Sequence, residues 1–377
     1  MARKLKSDKF LFMATLLLVC TSVVMVYSAS ALVLGEKNEN PYLFLFKQGT
    51  WALLGLFLVQ LIMRIDYRNY RQPAVIWTGL IVVGLALVAV LFGSPRNGAT
   101  RWLNIGPLGV QPSELAKIIV IVFIAALLER RMERIDEPAY ALLPIGAVLG
   151  TLVVLILVQP DLGTAAALVV IAGVMIFAAG ISYRYIAALG LLALPSLYFL
   201  LWTSEYRWRR VTAYLDPWSD PLGDGYQMIQ SMIAVGVGGV FGRGLMDGMQ
   251  KLFYLPEPHN DFIYAVISEE LGLIGATIVL ACFCVITWRG LRTAMRAPDR
   301  FGAFLALGLT TMVAFQAFFN ISVVLGLLPT KGIPLPFVSY GGSSLLINLI
   351  GMGILLNVSQ HASSAHIVTT TLPTADA

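Results

Sequence analysis

The residues able to do chemistry in this chain lie in a few short stretches. Gln111-Pro112-Ser113-Glu114 opens an apolar run and brings Glu114 three residues before Lys117, the spacing that puts both on one helix face. Ionisable residues at a membrane boundary mark a functional site by default, and a structural salt bridge is the alternative. Asp161, in the turn Gln159-Pro160-Asp161-Leu162-Gly163-Thr164, is placed either to cap a helix or to face a polar cavity. Tyr206-Arg207-Trp208-Arg209-Arg210 concentrates three guanidiniums beside aromatic rings. The planar fork of arginine matches phosphate or pyrophosphate, and headgroup anchoring is the alternative. Asp261 ends Pro256-Glu257-Pro258-His259-Asn260-Asp261 just before the apolar Phe262-Ile263-Tyr264-Ala265. A carboxylate against an apolar wall has its pKa raised by desolvation, which would poise Asp261 as a general base; a helix N-cap is the plainer role. Lys331 adds a cation in Pro329-Thr330-Lys331-Gly332, and Ser339-Tyr340-Gly341-Gly342-Ser343-Ser344 supplies small residues that let helices or a lipid tail approach closely.

The elements that must position these residues are membrane helices. Of 377 residues, 58% are hydrophobic and 12% charged, against about 25% charged in a soluble domain. Ten apolar segments stand out, at 10–33, 44–64, 74–93, 112–129, 141–158, 163–180, 184–202, 262–288, 302–328 and 340–358. A helical span needs about 20 residues, and backbone groups in lipid must be satisfied internally. The first segment follows a basic start and precedes Ala29-Ser30-Ala31, as in a secretory signal, but its apolar run is too long for one and reads as an uncleaved first span. The predicted fold is all-α and polytopic: one transmembrane domain over 1–361 and a disordered tail over 362–377.

Charge sets the orientation. With the N-terminus inside, the cytoplasmic side receives Arg3, Lys4, Lys6, Lys9, Arg64, Arg68, Arg71, Arg130, Arg131, Arg134, Arg184, Arg289, Arg292, Arg296 and Arg300, while the short outer loops receive only Lys37, Lys47, Arg96, Arg101 and Lys331. Both termini are then cytoplasmic. The polar stretch from Thr203 to Asp261, between the seventh and eighth segments, lies outside; its length far exceeds an ordinary connection of about 2–8 residues and marks it as functional. The net charge of +5 reflects this asymmetry rather than a nucleic-acid partner. Cys20, Cys282 and Cys284 sit in apolar runs and offer neither a disulfide framework nor a metal set. Gly236, Gly238, Gly239, Gly242 and Gly244 lack the lysine-hydroxyl pair of a nucleotide loop and point to close packing of irregular backbone.

Taken together and in order, these motifs resemble the RodA/FtsW/SpoVE family. The resemblance rests on Asn97-Gly98-Ala99 with Arg101-Trp102, the Gln111–Glu114 stretch with Lys117, the Gln159–Thr164 turn, Tyr226-Gln227 with Gln230-Ser231, Pro256-Glu257 with Asp261-Phe262, Glu269-Glu270-Leu271-Gly272, and the Ser339–Ser344 stretch. Tyr206 to Thr212, Asp216-Pro217-Trp218 and Pro329-Thr330-Lys331-Gly332 are closer to the division branch than to the elongation branch. Asn260 stands where many members have Thr. Phe253 stands where some division-branch members have Glu, so no polar role is carried over there. The resemblance implies a peptidoglycan glycosyltransferase of the bacterial cytoplasmic membrane that polymerises lipid II at the outer face, with a class B penicillin-binding protein and other division proteins as partners. It implies Asp261 as the essential catalytic residue. The candidate residues around the substrate are Arg101, Glu114, Lys117, Asp161, Arg207, Arg210, Glu257, Lys331 and Ser343, with Arg207, Arg210 and Lys331 set to meet the pyrophosphate and Lys117 and Arg101 behind them. No cofactor is called for by the sequence, although a divalent cation such as Mg could share the charge of the leaving pyrophosphate. A lipid II flippase and a non-catalytic scaffold are the rival expectations.

Overall fold

The computed structural model describes residues 7–36, 40–93, 100–105, 108–135, 137, 139–140, 142–252, 255–256 and 258–370. A helix stands at each of the ten apolar segments: α1 (Lys9–Glu36), α2 (Leu43–Ile62), α3 (Pro73–Leu91), α4 (Pro112–Arg131), α5 (Leu142–Val158), α6 (Leu162–Ala178) and α7 (Tyr183–Trp202), then α10 (Ile263–Arg296), α11 (Arg300–Val324) and α12 (Gly342–Thr370). Local signals set several boundaries. Pro73 and Pro112 occupy first-turn positions where no amide is wasted, and Arg130 and Arg131 in the last turn of α4 complement its dipole. α12 runs on to Thr370, into the stretch where the sequence predicts a disordered tail. A short antiparallel pair, β1 (Leu103–Ile105) with β2 (Leu108–Val110), leads into α4.

The helices bury polar residues and turn apolar ones outward, the reverse of a soluble bundle. Glu114, Lys117, Gln316, Asn320 and Asn348 are buried, whereas Phe46, Leu53, Leu85 and Phe177 are exposed. Among the described residues, six helices are long and apolar enough to cross a membrane. The chain is a multi-pass α-helical membrane protein, with α4 and α11 inside the bundle, where Ile121, Ile124, Leu305 and Met312 are fully enclosed.

The segment from Thr203 to Asp261 is more ordered than its turn-rich sequence suggests. It contains α8 (Glu205–Leu215) and α9 (Tyr226–Gly238). α9 buries Met228, Ile229, Ser231 and Ala234, and the Ser231 hydroxyl donates to the Val324 carbonyl at 2.8 Å. The polar spacing of turn residues hides this helix, whose apolar stripe only gains a partner from α10 and α11.

Two ends of the bundle are tied differently. At one, the Asp8 amide donates to Ser359 (3.2 Å), Arg289 pairs with Asp8 (2.5 Å), and the Tyr67 amide donates to Asn357 (3.0 Å). This gathers the start of α1, the end of α12, the α2–α3 turn and the far end of α10. The opposite end carries Asp261, Lys331, Arg101 and Asp161.

Candidate active site

The turn at Asp161 begins the site. Asp161 does cap α6: its carboxylate accepts from the Thr164 amide (3.3 Å) and the Thr164 hydroxyl (2.6 Å), and from the Gln111 side-chain amide (3.4 Å). Arg101 reaches the same turn and donates to the carbonyls of Gln159 (3.2 Å) and Pro160. The next residue but one after Asp161 is Gly163, where a side chain would meet Lys331 Cε at 3.2 Å and Ile333 Cγ1 at 2.9 Å. The connection before α12 therefore lies directly on this turn.

The same connection touches Asp261 on its other side. A Cβ on Gly332 would stand 2.5 Å from Asp261 Oδ2, so the carboxylate rests where only glycine leaves room. Asn320 of α11 holds both strands together, its side-chain amide donating to the carbonyls of Asp261 (2.7 Å) and Ile333 (2.8 Å). α8 approaches from above. Arg207 and Arg210, three residues apart, share a face of it; Arg210 donates to the Thr330 carbonyl at 3.1 Å, and the Tyr214 hydroxyl to the Leu327 carbonyl at 3.0 Å. Arg209 points elsewhere, into an exposed pair with Glu205.

Lys331 records the field that results. Burial holds its pKa down, Asp161 opposes this, and Arg101, Arg210 and Arg207 lower it further, leaving it at about 8. Four cations thus face one half-buried space, with Asp261 at its edge. Such a cluster suits an anion carrying several oxygens. Among the described residues no group of three or more His, Cys, Asp or Glu side chains converges.

Below this space lies the Glu114–Lys117 pair. It is buried, with Lys117 Nζ 2.9 Å from Glu114 and 3.0 Å from Gln316 Oε1, and Glu114 accepting from Ser344 at 3.1 Å. Gln316 is one helical turn below Asn320, so the pair floors the site and joins α4, α11 and α12. Ser343 is likewise buried, its hydroxyl accepting from the Gln111 amide at 3.1 Å. Glu269 and Glu270 belong to a separate network with Lys251 and Ser28. Glu114 and Lys117 thus lie in one cluster, and Glu269 and Glu270 in another. His259 is packed against Phe44 (ring centroids 5.0 Å) and Tyr340 (5.6 Å), fixing the turn before Asp261. Glu257 and Asn97-Gly98-Ala99 lie outside the described residues. Asn320 and Gln316 are absent from the sequence-based set; their signal was two amides four residues apart in an apolar helix.

The family model for FtsW, RodA and SpoVE, described as a cell cycle protein, matches residues 8–364. The chain belongs to the FtsW/RodA/SpoVE family. The probable peptidoglycan glycosyltransferase FtsW of Geobacter sulfurreducens is 45% identical over 359 residues, covering 95% of this chain and 96% of the relative. Stage V sporulation protein E of Bacillus subtilis is 43% identical over 365 residues, 96% and 99% of the two chains. Among solved structures, a chain described under the coordination of polymerization and crosslinking by a peptidoglycan synthase complex aligns with a TM-score of 0.79 at 31% identity, covering 95% of this chain and 99% of that one. The rod shape determining protein RodA of Thermus thermophilus aligns at 0.70 and 27% identity, covering 94% and 97%. The family model and these relatives thus cover nearly the whole chain.

Proposed function

We propose that this chain is a peptidoglycan glycosyltransferase that polymerises lipid II at the outer face of the bacterial cytoplasmic membrane during cell division, with both termini in the cytoplasm. The observation that carries the mechanism is the Asp261 carboxylate lying against Gly332, next to the cluster of Arg101, Arg207, Arg210 and Lys331. Asp261 takes the proton of the acceptor's sugar hydroxyl. The hydroxyl oxygen forms the new bond to the anomeric carbon of the donor strand, while the carbon–oxygen bond to the pyrophosphate breaks and its electron pair leaves on undecaprenyl pyrophosphate. A single displacement of this kind inverts the anomeric centre. The cations neutralise charge that grows on the leaving group, the kind of preorganised stabilisation that contributes most to rate. A divalent ion such as Mg would share the charge of the leaving pyrophosphate with these cations. The names of the similar proteins support the activity, and the synthase complex supports a penicillin-binding protein as the partner that cross-links the new strand.

The test uses the purified protein with its class B penicillin-binding protein, the transpeptidase blocked, in liposomes with lipid II. Asp261→Asn is expected to lower glycan polymerisation by roughly 100-fold or more, the scale of a lost general base. Polymerisation at the parental rate would remove Asp261 from that role. Translocation of lipid II without polymerisation would favour a flippase.

A further inference from the structure

α10 is broken ten residues into its length. Gly272 has φ 66° and ψ −166°, outside the helical region and open essentially to glycine alone. The break leaves backbone groups without helical partners, and the chain between α9 and Asp261 supplies them. The amides of Arg243 and Gly244 donate to the carbonyls of Glu269 and Glu270, both at 3.0 Å. The amides of Leu273 and Ile274 donate to Gly239 (2.9 Å) and Val240 (3.3 Å). Residues 239–244 thus form a strap that replaces one turn of helix, in a protein whose backbone groups must find partners within the chain.

Side chains then fasten the strap. Glu269 accepts from the amides of Met249 (2.8 Å) and Gln250 (3.2 Å). Glu270 accepts from Lys251 Nζ (2.5 Å), the Ser28 hydroxyl (2.7 Å) and the Met246 amide (3.1 Å), and Lys251 also donates to Ser28 (3.0 Å). Lys251, Glu269, Glu270 and Ser28 are each at most 1% exposed. A lone lysine enclosed at this depth is costly unless paired, and it joins three elements: the strap, α10 and α1. It also lies ten residues before Asp261, while Glu270 lies nine after it, so the pair closes the base of the loop that carries Asp261.

We infer that Lys251 and Glu270, bridged by Ser28, are positioning residues: a buried ionic latch that fixes the Asp261 arm against Gly332 and the cation cluster. This rests on the assignment of Asp261 above. The latch touches neither substrate nor reacting atoms; it sets where the base stands. Opening it lets the arm from Leu255 to Phe262 shift, which weakens proton abstraction without changing the cations that hold the substrate.

The experiment compares Lys251→Met, Lys251→Arg and Ser28→Ala in the full chain with its partner, reading steady-state polymerisation and backbone hydrogen exchange. Lys251→Met is expected to lower kcat at least ten-fold with KM for lipid II within two-fold, and to speed exchange across 239–252 and 255–262 while α11 stays protected. Lys251→Arg should restore most of both. If Lys251→Met does not fold, Ser28→Ala, which removes one hydrogen bond from each partner, should give a two- to five-fold loss of kcat and the same exchange pattern. A kcat within two-fold of the parent in Lys251→Met, or unchanged exchange at 255–262, overturns the latch. Asp261→Asn is run in parallel: if it polymerises normally, the base assignment fails, while the exchange data still judge the latch.

Discussion

Lys331 is a group at the site whose charge changes with pH in a usable range. Burial and its three arginine neighbours hold its pKa down to about 8, against the opposing pull of Asp161. Below that pH it is an ammonium and attracts an anionic substrate; above it the charge is lost, and with it one of the four cations facing the space. The kcat/KM for lipid II, which reports the free enzyme, should therefore fall as pH rises through about 8. Lys331→Arg should carry the plateau to higher pH, because a guanidinium keeps its proton past pH 12 or so. A profile flat from neutrality to pH 10 in the parent would remove Lys331 from anion binding. At this scale the sequence was legible where a charge stood out against its surroundings. Asp261 follows a polar run and precedes an apolar one, and Arg207 and Arg210 sit where positive charge has no topogenic reason. Asn320 and Gln316 showed only as two amides four residues apart in an apolar run, and Lys251 did not stand out at all. Their roles depend on which backbone carbonyl or carboxylate arrives from a distant part of the chain, and nothing local announces that.

Among elements, the broken α10 and its strap frame the segment that leads to Asp261. Their contact is made of glycines: a Cβ at Gly238 would lie 1.9 Å from the Ser268 carbonyl oxygen, one at Gly242 2.1 Å from that of Glu270, and one at Gly272 2.3 Å from the Gly242 amide. The Tyr264 hydroxyl donates to the Ala276 carbonyl at 3.1 Å, bracing the two halves of α10 across the break. Gly272→Ala is thus expected to cost about 1–3 kcal/mol in backbone strain alone, with the clash added to it. Gly146→Ala in α5 and Gly173→Ala in α6, where a Cβ meets nothing within 4 Å, should be neutral or slightly stabilising. Thermal unfolding of the detergent-solubilised variants at one scan rate measures both; a Gly272→Ala midpoint equal to that of the two controls would mean the break is not obligatory. The ten apolar helices were readable because each is a long apolar run, although α10 and α12 extend beyond the predicted ends to Arg296 and Thr370. The glycine run was readable as close packing. α8 and α9 were not, since turn-forming residues surround them and the apolar stripe of α9 is shorter than a span.

For the whole molecule, the two ends of the bundle divide the charge between them. The end where Asp8 meets Ser359 and Arg289 also carries Arg64, Arg68 and Arg71 at the α2–α3 turn and Arg292, Arg296 and Arg300 around the α10–α11 turn. In the orientation proposed above, this end is the cytoplasmic face. Arginines at the other end are accounted for differently: Arg101 holds the Gln159–Pro160 turn, and Arg210 holds the connection before α12. They serve the site rather than orientation. That orientation predicts that Asp220, exposed just after α8, and Arg296, exposed at the end of α10, lie on opposite sides of the membrane. The three free cysteines, Cys20, Cys282 and Cys284, can be replaced by alanine, and Asp220→Cys and Arg296→Cys introduced one at a time. A membrane-impermeant maleimide applied to intact spheroplasts should label Asp220→Cys at once and Arg296→Cys only after permeabilisation. The reverse pattern would put Asp261 on the side where lipid II is made rather than the side where strands are built, and the outer-face mechanism would fall with it.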